Sequence, residues 1–276
     1  MSGPDPAALA LNTVTVRERW KLAQAAEGCA RHGIGAITLW RNEVAEMGAA
    51  ATARLLGANG LAVAGLARGG PFAWTDARSR RAAIDDTRCA IDEAAELRAR
   101  CLVLVVGGLA AGSKDLPGAR ARVREALAEV LGHARACGVP LALEPFHPMY
   151  CADRSCISTL GEANDLCDAL GEGLGIAVDV YHVWWDPALE AEIRRAGRQR
   201  LLALHLSDWL VPTTDLVLDR GMMGDGVIDI PRIRSMMEAS GFEGWHEVEI
   251  FSARNWWRRD PDEVLAICRE RHQSCC

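Results

Sequence analysis

Short apolar runs alternate with longer segments of helical apolar spacing from end to end of this chain. Leu9 to Thr13 reads as a first strand and Arg17 to His32 as the helix after it. Ala36 to Trp40 and Leu61 to Leu66 are the next two strands, separated by a helix over Val44 to Ala58. A long helix from about Asp76 to Arg100 leads to Cys101–Val106, the clearest strand because it is wholly apolar and partly β-branched. A helix from Ala119 to Cys137 ends at Gly138 and precedes a fifth strand, Leu141 to Leu143, and a helix from Thr159 to Leu170. Ile176–Val180 is followed by a helix over Pro187–Arg200, and Leu202–Leu206 by a helix starting near Pro231. Trp245–Ile250, closed by a helix from Pro261 to Arg271, completes eight strand–helix units.

Short apolar strands that each feed an amphipathic helix predict a parallel sheet covered by helices. Eight such units in 276 residues predict a closed (β/α)8 TIM barrel forming one domain over residues 1–276. An open doubly wound sheet would carry a glycine-rich dinucleotide turn after its first strand. Gly107-Gly108, after the fourth strand, lacks the later glycine and the acidic partner of that turn. The longest irregular stretch, Asp208 to Asp229, is expected to be a functional or mobile loop.

Composition narrows the setting. A formal charge of −6 gives no reason to expect nucleic acid or an anionic membrane as partner, and no apolar run reaches the ~18 residues of a membrane helix. Met1 to Ala10 lacks the basic start and long apolar run of a secretion signal. The ten cysteines, with no Cys-x-x-Cys pair, are therefore expected as reduced thiols in a cytoplasmic protein.

The chemistry lies at strand ends. Glu144, Asp179, His205 and Glu249 each end an apolar run, on the fifth to eighth strands in succession. A charge at such a place is costly unless compensated, and in a TIM barrel these ends form the active site. Three carboxylates and an imidazole are expected to hold one divalent ion: Mn²⁺ first, with Mg²⁺, Co²⁺ and Zn²⁺ also suited. Glu247 shares a strand face with Glu249, so on physics alone either could be the ligand. His147, stiffened between Pro145 and Pro148, is a candidate general acid or base. His182, three residues after Asp179, is a candidate substrate contact. Trp40, Trp184, Trp185, Trp209 and Trp256 fall at or just after strand ends, and Trp40 and Trp184 are candidate aromatic walls of a ligand pocket.

These motifs carry a resemblance. Leu-Glu144-Pro145, Asp179-Val-Tyr-His182, His205-Leu-Ser-Asp208, Asp219-Arg220-Gly221, Gly224-Asp-Gly226-Val-Ile-Asp229 and Gly244-Trp-His-Glu-Val-Glu249-Ile-Phe251 are similar to those of the xylose isomerase-like TIM-barrel superfamily. Within it, the chain resembles in particular the sugar phosphate isomerase/epimerase group that includes the ketose 3-epimerases. The resemblance implies that Glu144, Asp179, His205 and Glu249 hold a catalytic divalent metal, and that His182 and Arg220 contact substrate hydroxyls. It favours Glu249 over Glu247 as ligand and leaves Glu247 to orient His205 or pair with an arginine.

The expected function is a metal-dependent isomerase or epimerase of a ketose or keto-sugar, working through an enediolate. Glu144 or Glu249 would remove the α proton, and the other carboxylate or His147 would return one. The alternative is a lyase of the same superfamily, a dehydratase or 3-oxo-glycoside cleaving enzyme, and it turns on His147. An abasic-site endonuclease needs more histidines and a basic face. A non-catalytic partner barrel is the remaining alternative. No glycine-rich phosphate loop stands out, so the expected partner is a non-phosphorylated sugar. A homo-oligomer is compatible with the sequence.

Overall fold

Alternation along eight parallel strands decides what this barrel holds inside it. A computed structural model describes residues 3–276. The barrel strands are β1 (Leu9–Asn12), β2 (Ala36–Trp40), β3 (Ala62–Gly69), β4 (Leu102–Leu104), β5 (Leu141–Leu143), β6 (Leu174–Asp179), β7 (Leu201–Leu206) and β10 (His246–Val248). The intervening β8 (Asp208–Trp209) and β9 (Arg220–Gly221) form a separate antiparallel pair. The barrel closes in the order β1-β10-β7-β6-β5-β4-β3-β2, with every pairing parallel.

Leu9, Leu11, Leu141, Leu143, Ile176, Val178, Leu204, Leu206 and Val248 join the large cluster that packs under the helices. Their strand neighbours point the other way. Ala10 and Ala36 form one interior cluster, and Ala142, Ala177 and Ala203 another with Cys101 and Val103. Small side chains in the barrel axis leave room above them. The same inward face continues through Asn12, Thr38, Glu144, Asp179, His205 and Glu247 at the strands' C-terminal ends.

The helices are α1 (Leu22–Arg31), α2 (Arg41–Met47), α3 (Ala49–Ala58), α4 (Ala77–Glu96), α5 (Leu116–Cys137), α6 (Leu160–Leu170), α7 (Val180–Val183), α8 (Leu189–Arg200), α9 (Ile230–Ala239) and α10 (Pro261–Cys275). Asp115 caps α5 by accepting from Gly118 N at 2.8 Å, and Gly138 ends it in the left-handed conformation, φ 67°. The helix expected over Val44–Ala58 is two helices. Gly48 separates them at φ 85° and ψ 144°, a backbone position open to glycine. Among the described residues no helix is long and apolar enough to cross a membrane. All ten cysteines are free.

The long 208–229 segment is ordered by one carboxylate. Asp208 Oδ1 accepts from Trp209 N and Ile228 N, and Oδ2 from Gly224 N and Gly226 N, at 2.8–3.0 Å. A Cβ on Gly226 would sit 2.2 Å from the Trp209 carbonyl oxygen, so only glycine lets the loop close here. Arg220 N donates to Phe251 O at 2.9 Å. These bonds fix the arginine over the barrel mouth.

Candidate active site

Barrel register brings the strand-end groups together. Asp179 on β6 is the ladder partner of His205 on β7, and His205 is in turn the partner of Glu247 on β10. Glu144 and Glu249 each stand one residue past their strands, with backbone N–H groups still bonded to Leu104 O and Leu206 O. Ligand atoms of Glu144, Asp179, His205 and Glu249 all lie within 4.8 Å of one another, and all four residues are buried.

Arg220 is threaded through this cluster. Its Nη1 donates to Asp179 Oδ2 at 2.8 Å and to Glu249 Oε2 at 3.1 Å. Its guanidinium also lies 4.4 Å from the Tyr181 ring centroid. Nη2 meets His182 Nε2 at 3.1 Å. A guanidinium can only donate, so this nitrogen accepts and His182 is neutral. Burial pushes the His182 pKa down to about 3, which agrees with that tautomer.

His205 turns Nδ1 toward Glu144 Oε1 (3.0 Å) and Glu249 Oε2 (3.9 Å), while Nε2 faces Glu247 Oε2 at 3.6 Å and has no hydrogen bond. Glu247 is held by Asn12 Nδ2 at 2.7 Å and Thr38 Oγ1 at 2.6 Å. It therefore lies behind the imidazole, placed to fix its orientation, and Glu249 faces the open side. Asn12 also donates to Glu249 and accepts from Trp40 Nε1 at 2.8 Å.

Burial is the first influence on the ionisation of the cluster. It raises the pKa of Glu144 above the usual range, against the pull of His205. It carries Glu249 up to about 8, with Arg220 and His205 only partly opposing. At Asp179 burial pushes the same way, but the charge of Arg220, aided by His205 and by the Tyr181 N–H, outweighs it and the carboxyl stays below the usual range. His205 is opposed by burial yet held well above its usual pKa by Glu247, Glu144 and Glu249.

Three carboxylates and an imidazole at mutual ligand reach fit a divalent cation. A cation must displace the protons on Glu249, Glu144 and His205. Its apparent affinity is expected to rise with pH up to about 8. In the chelated protein, the raised Glu249 contributes stability that is complete below about 4.5 and is lost as pH climbs to about 8. The gap in melting temperature between metal-loaded and chelated protein should therefore widen from pH 5 to pH 8. A gap that narrows over that window would contradict the proton displacement.

A cavity of about 480 Å³ opens above the cluster. Asn12, Thr38, Trp40, Phe146, Tyr150, His182, Arg220 and Phe251 line it together with Glu144, His205, Glu247 and Glu249. Tyr150 and Tyr181 both donate to Leu216 O, tying the long loop over one side.

Two sequence-assigned residues lie elsewhere. His147 is half-buried between Trp209 and Trp185, with ring centroids at 4.9 and 5.7 Å, and its Nδ1 accepts from Met149 N. Phe146 occupies the cavity wall instead and stacks on His182 at 4.1 Å. Past the end of β5, Phe146 N donates to Ile157 O at 3.0 Å, and the chain there sets the Phe146 ring at the cavity and the His147 ring against the tryptophans. Trp184 packs 5.9 Å from Trp209 and does not line the cavity. Asn12, Thr38, Arg68 and Tyr150 are cavity residues that the sequence reading passed over.

A closed parallel barrel with a buried carboxylate–histidine cluster at its C-terminal mouth defines the class. The chain belongs to the xylose isomerase-like TIM-barrel family, whose model matches residues 26–268. It is similar to protein SMc04130 of Sinorhizobium meliloti 1021, at 57% identity and a TM-score of 0.97 over 99% of both chains. The IOLI protein, solved with a binding zinc atom, shares the fold at a TM-score of 0.82 and 18% identity over 96% of both chains. The inosose isomerase of Halalkalibacterium halodurans is 26% identical over 151 residues, 52% of this chain and 50% of that protein. The match thus spans about half the length of that relative.

Proposed function

We propose that this protein is a divalent-metal-dependent isomerase or epimerase of a ketose or keto-sugar, working through an enediolate. The observation that carries this reading is the pair Glu144 and Glu249. The two carboxyls come from β5 and from the end of β10, flank His205 Nδ1, and both border the cavity. Buried carboxyls with raised pKa values suit proton transfer near neutral pH. When bound by Glu144, Asp179, His205 and Glu249, a divalent ion supplies positive charge to a carbonyl and its neighbouring hydroxyl, acidifying the α carbon. One carboxylate takes the α proton and the other returns it. Return to the opposite face gives an epimer, and return to the neighbouring carbon gives an aldose–ketose pair. Arg220 and neutral His182 hold substrate oxygens, and Trp40 and Phe146 wall the apolar side. The zinc of the IOLI protein and the inosose isomerase relative support the metal and the substrate class.

The test is solvent deuterium exchange by metal-loaded protein on a panel of ketoses and inososes. Exchange at the α carbon with recovery of an isomer is expected. Release of a leaving group would make the protein a lyase, and absence of exchange from every member would sink the reading. His147→Ala is expected to change the exchange rate by less than about threefold, because the ring lies outside the cavity. A loss of a hundredfold or more, in the range of a lost general acid or base, would return His147 to the chemistry and favour the lyase.

A further inference from the structure

The rim of the cavity carries more positive charge than the proposed chemistry uses. Arg17, Arg68 and Arg154 line it in addition to Arg220. Arg68, in β3, is only partly exposed, and its guanidinium makes no hydrogen bond or ion pair among the described residues. Arg68 and Arg154 border the same cavity; burial lowers the Arg68 pKa, the charge of Arg154 lowers it further, and the Glu144 carboxyl opposes both. Arg154 reaches only its neighbour Asp153, at 3.8 Å, with about half its side chain exposed. Asp215 also lines the cavity, and its Oδ1 accepts from the backbone N–H groups of Val217 and Leu218 at 2.8 and 2.9 Å. Arg17 stacks on Trp257 at 4.8 Å and touches Glu18 at 3.7 Å. Arg220 is occupied by Asp179 and Glu249. Among the described residues Arg68 is left with no ion pair, and Arg154 with only the long contact to Asp153.

A guanidinium partly withdrawn from water, as that of Arg68 is, is costly unless an anion joins it. Arginine forks match phosphate and carboxylate oxygens in bidentate fashion. Resting on the function proposed above, we propose that the substrate carries an anionic group, a phosphate monoester or a carboxylate, held by Arg68 and Arg154 while its carbonyl end faces Glu144, His205 and Glu249. The cavity is within the roughly 300–1,000 Å³ of small-molecule sites. The subsite needs no glycine-rich phosphate loop, because side chains from two separate segments supply it: β3 for Arg68 and the turn after β5 for Arg154.

Inorganic phosphate is the first probe, titrated calorimetrically into metal-loaded protein. Arg68→Met and Arg154→Met are each expected to weaken its binding about ten- to hundredfold, the range of a lost hydrogen bond to a charged group. Melting temperature without phosphate checks the fold. The exposed Arg154→Met keeps the test standing should Arg68→Met misfold. Phosphate binding that is absent, or equally tight in wild type and both variants, overturns the subsite; the second outcome places the anion on the metal cluster.

The second arm compares deuterium exchange on D-fructose, D-fructose 6-phosphate and the corresponding keto-uronate. At least one anionic sugar should exceed fructose in kcat/KM by tenfold or more, and that ratio should collapse in the variants. The member that wins identifies the anion as phosphate or carboxylate. Equal kcat/KM for all three overturns the proposal and leaves the isomerase reading standing. Exchange on none of the three counts against the isomerase reading, and the phosphate titration still decides the subsite.

Discussion

Glu144→Gln is expected to lower metal affinity beyond the roughly 10–100-fold that follows loss of an outer partner of a ligand, and to cut deuterium exchange by about 10²- to 10⁴-fold at saturating metal. Both effects come from one side chain. Its carboxyl lies within 4.8 Å of ligand atoms on Asp179, His205 and Glu249, and 3.0 Å from His205 Nδ1. The amide keeps the shape and one oxygen but loses the charge and the capacity to take a proton. The fold should tolerate it, because burial already favours the uncharged form of this group. A metal titration of the chelated variant, with melting temperature as control, separates lost binding from lost structure. Wild-type affinity in a well-folded variant would remove Glu144 from the ligand set. Wild-type exchange at saturating metal would remove it from proton transfer.

Strand-end charge is a local signal, which is why Glu144, Asp179, His205 and Glu249 stood out in the bare chain. Each follows a run of buried apolar residues, and nothing distant is needed to notice the cost of a charge there. The barrel itself followed from the alternation of apolar runs and amphipathic helices. The partners of the cluster were not legible, because barrel closure creates them. Asn12 meets Glu247 across 235 positions of sequence, since β10 pairs with β1. As an isolated residue after a short strand, Asn12 has no distinguishing feature. Arg68 likewise acquires its meaning from Arg154, which arrives on a different loop. Phe146 carries no titratable group, so the sequence marks its neighbour His147 instead, and only the folded segment after β5 shows which of the two rings reaches the cavity. Gly48 also carried its warning inside the Val44–Ala58 segment, as a glycine in an otherwise helical pattern.

Arg220→Ala should be the most disruptive single change in the chelated protein. The guanidinium is buried and bridges Asp179 and Glu249, so its removal leaves two buried carboxyls without their nearest cation. Breaking a buried pair in this way costs about 3–5 kcal/mol, a fall in melting temperature on the order of 10 °C for a chain of this size. Glu249, already pushed up to about 8, loses the first group that holds its pKa down and should stay protonated to higher pH. A saturating divalent ion replaces much of the missing positive charge. The stability gap between variant and wild type should therefore narrow on loading, whereas a purely packing role for Arg220 would leave it unchanged. Kinetics give an independent reading. The loaded variant should show a Michaelis constant raised about ten- to hundredfold, the range of a lost charge-assisted hydrogen bond, with metal content near that of wild type. An unchanged Michaelis constant on the true substrate would confine Arg220 to holding the carboxylates apart from one another, and the contact with substrate oxygens would pass to His182 alone.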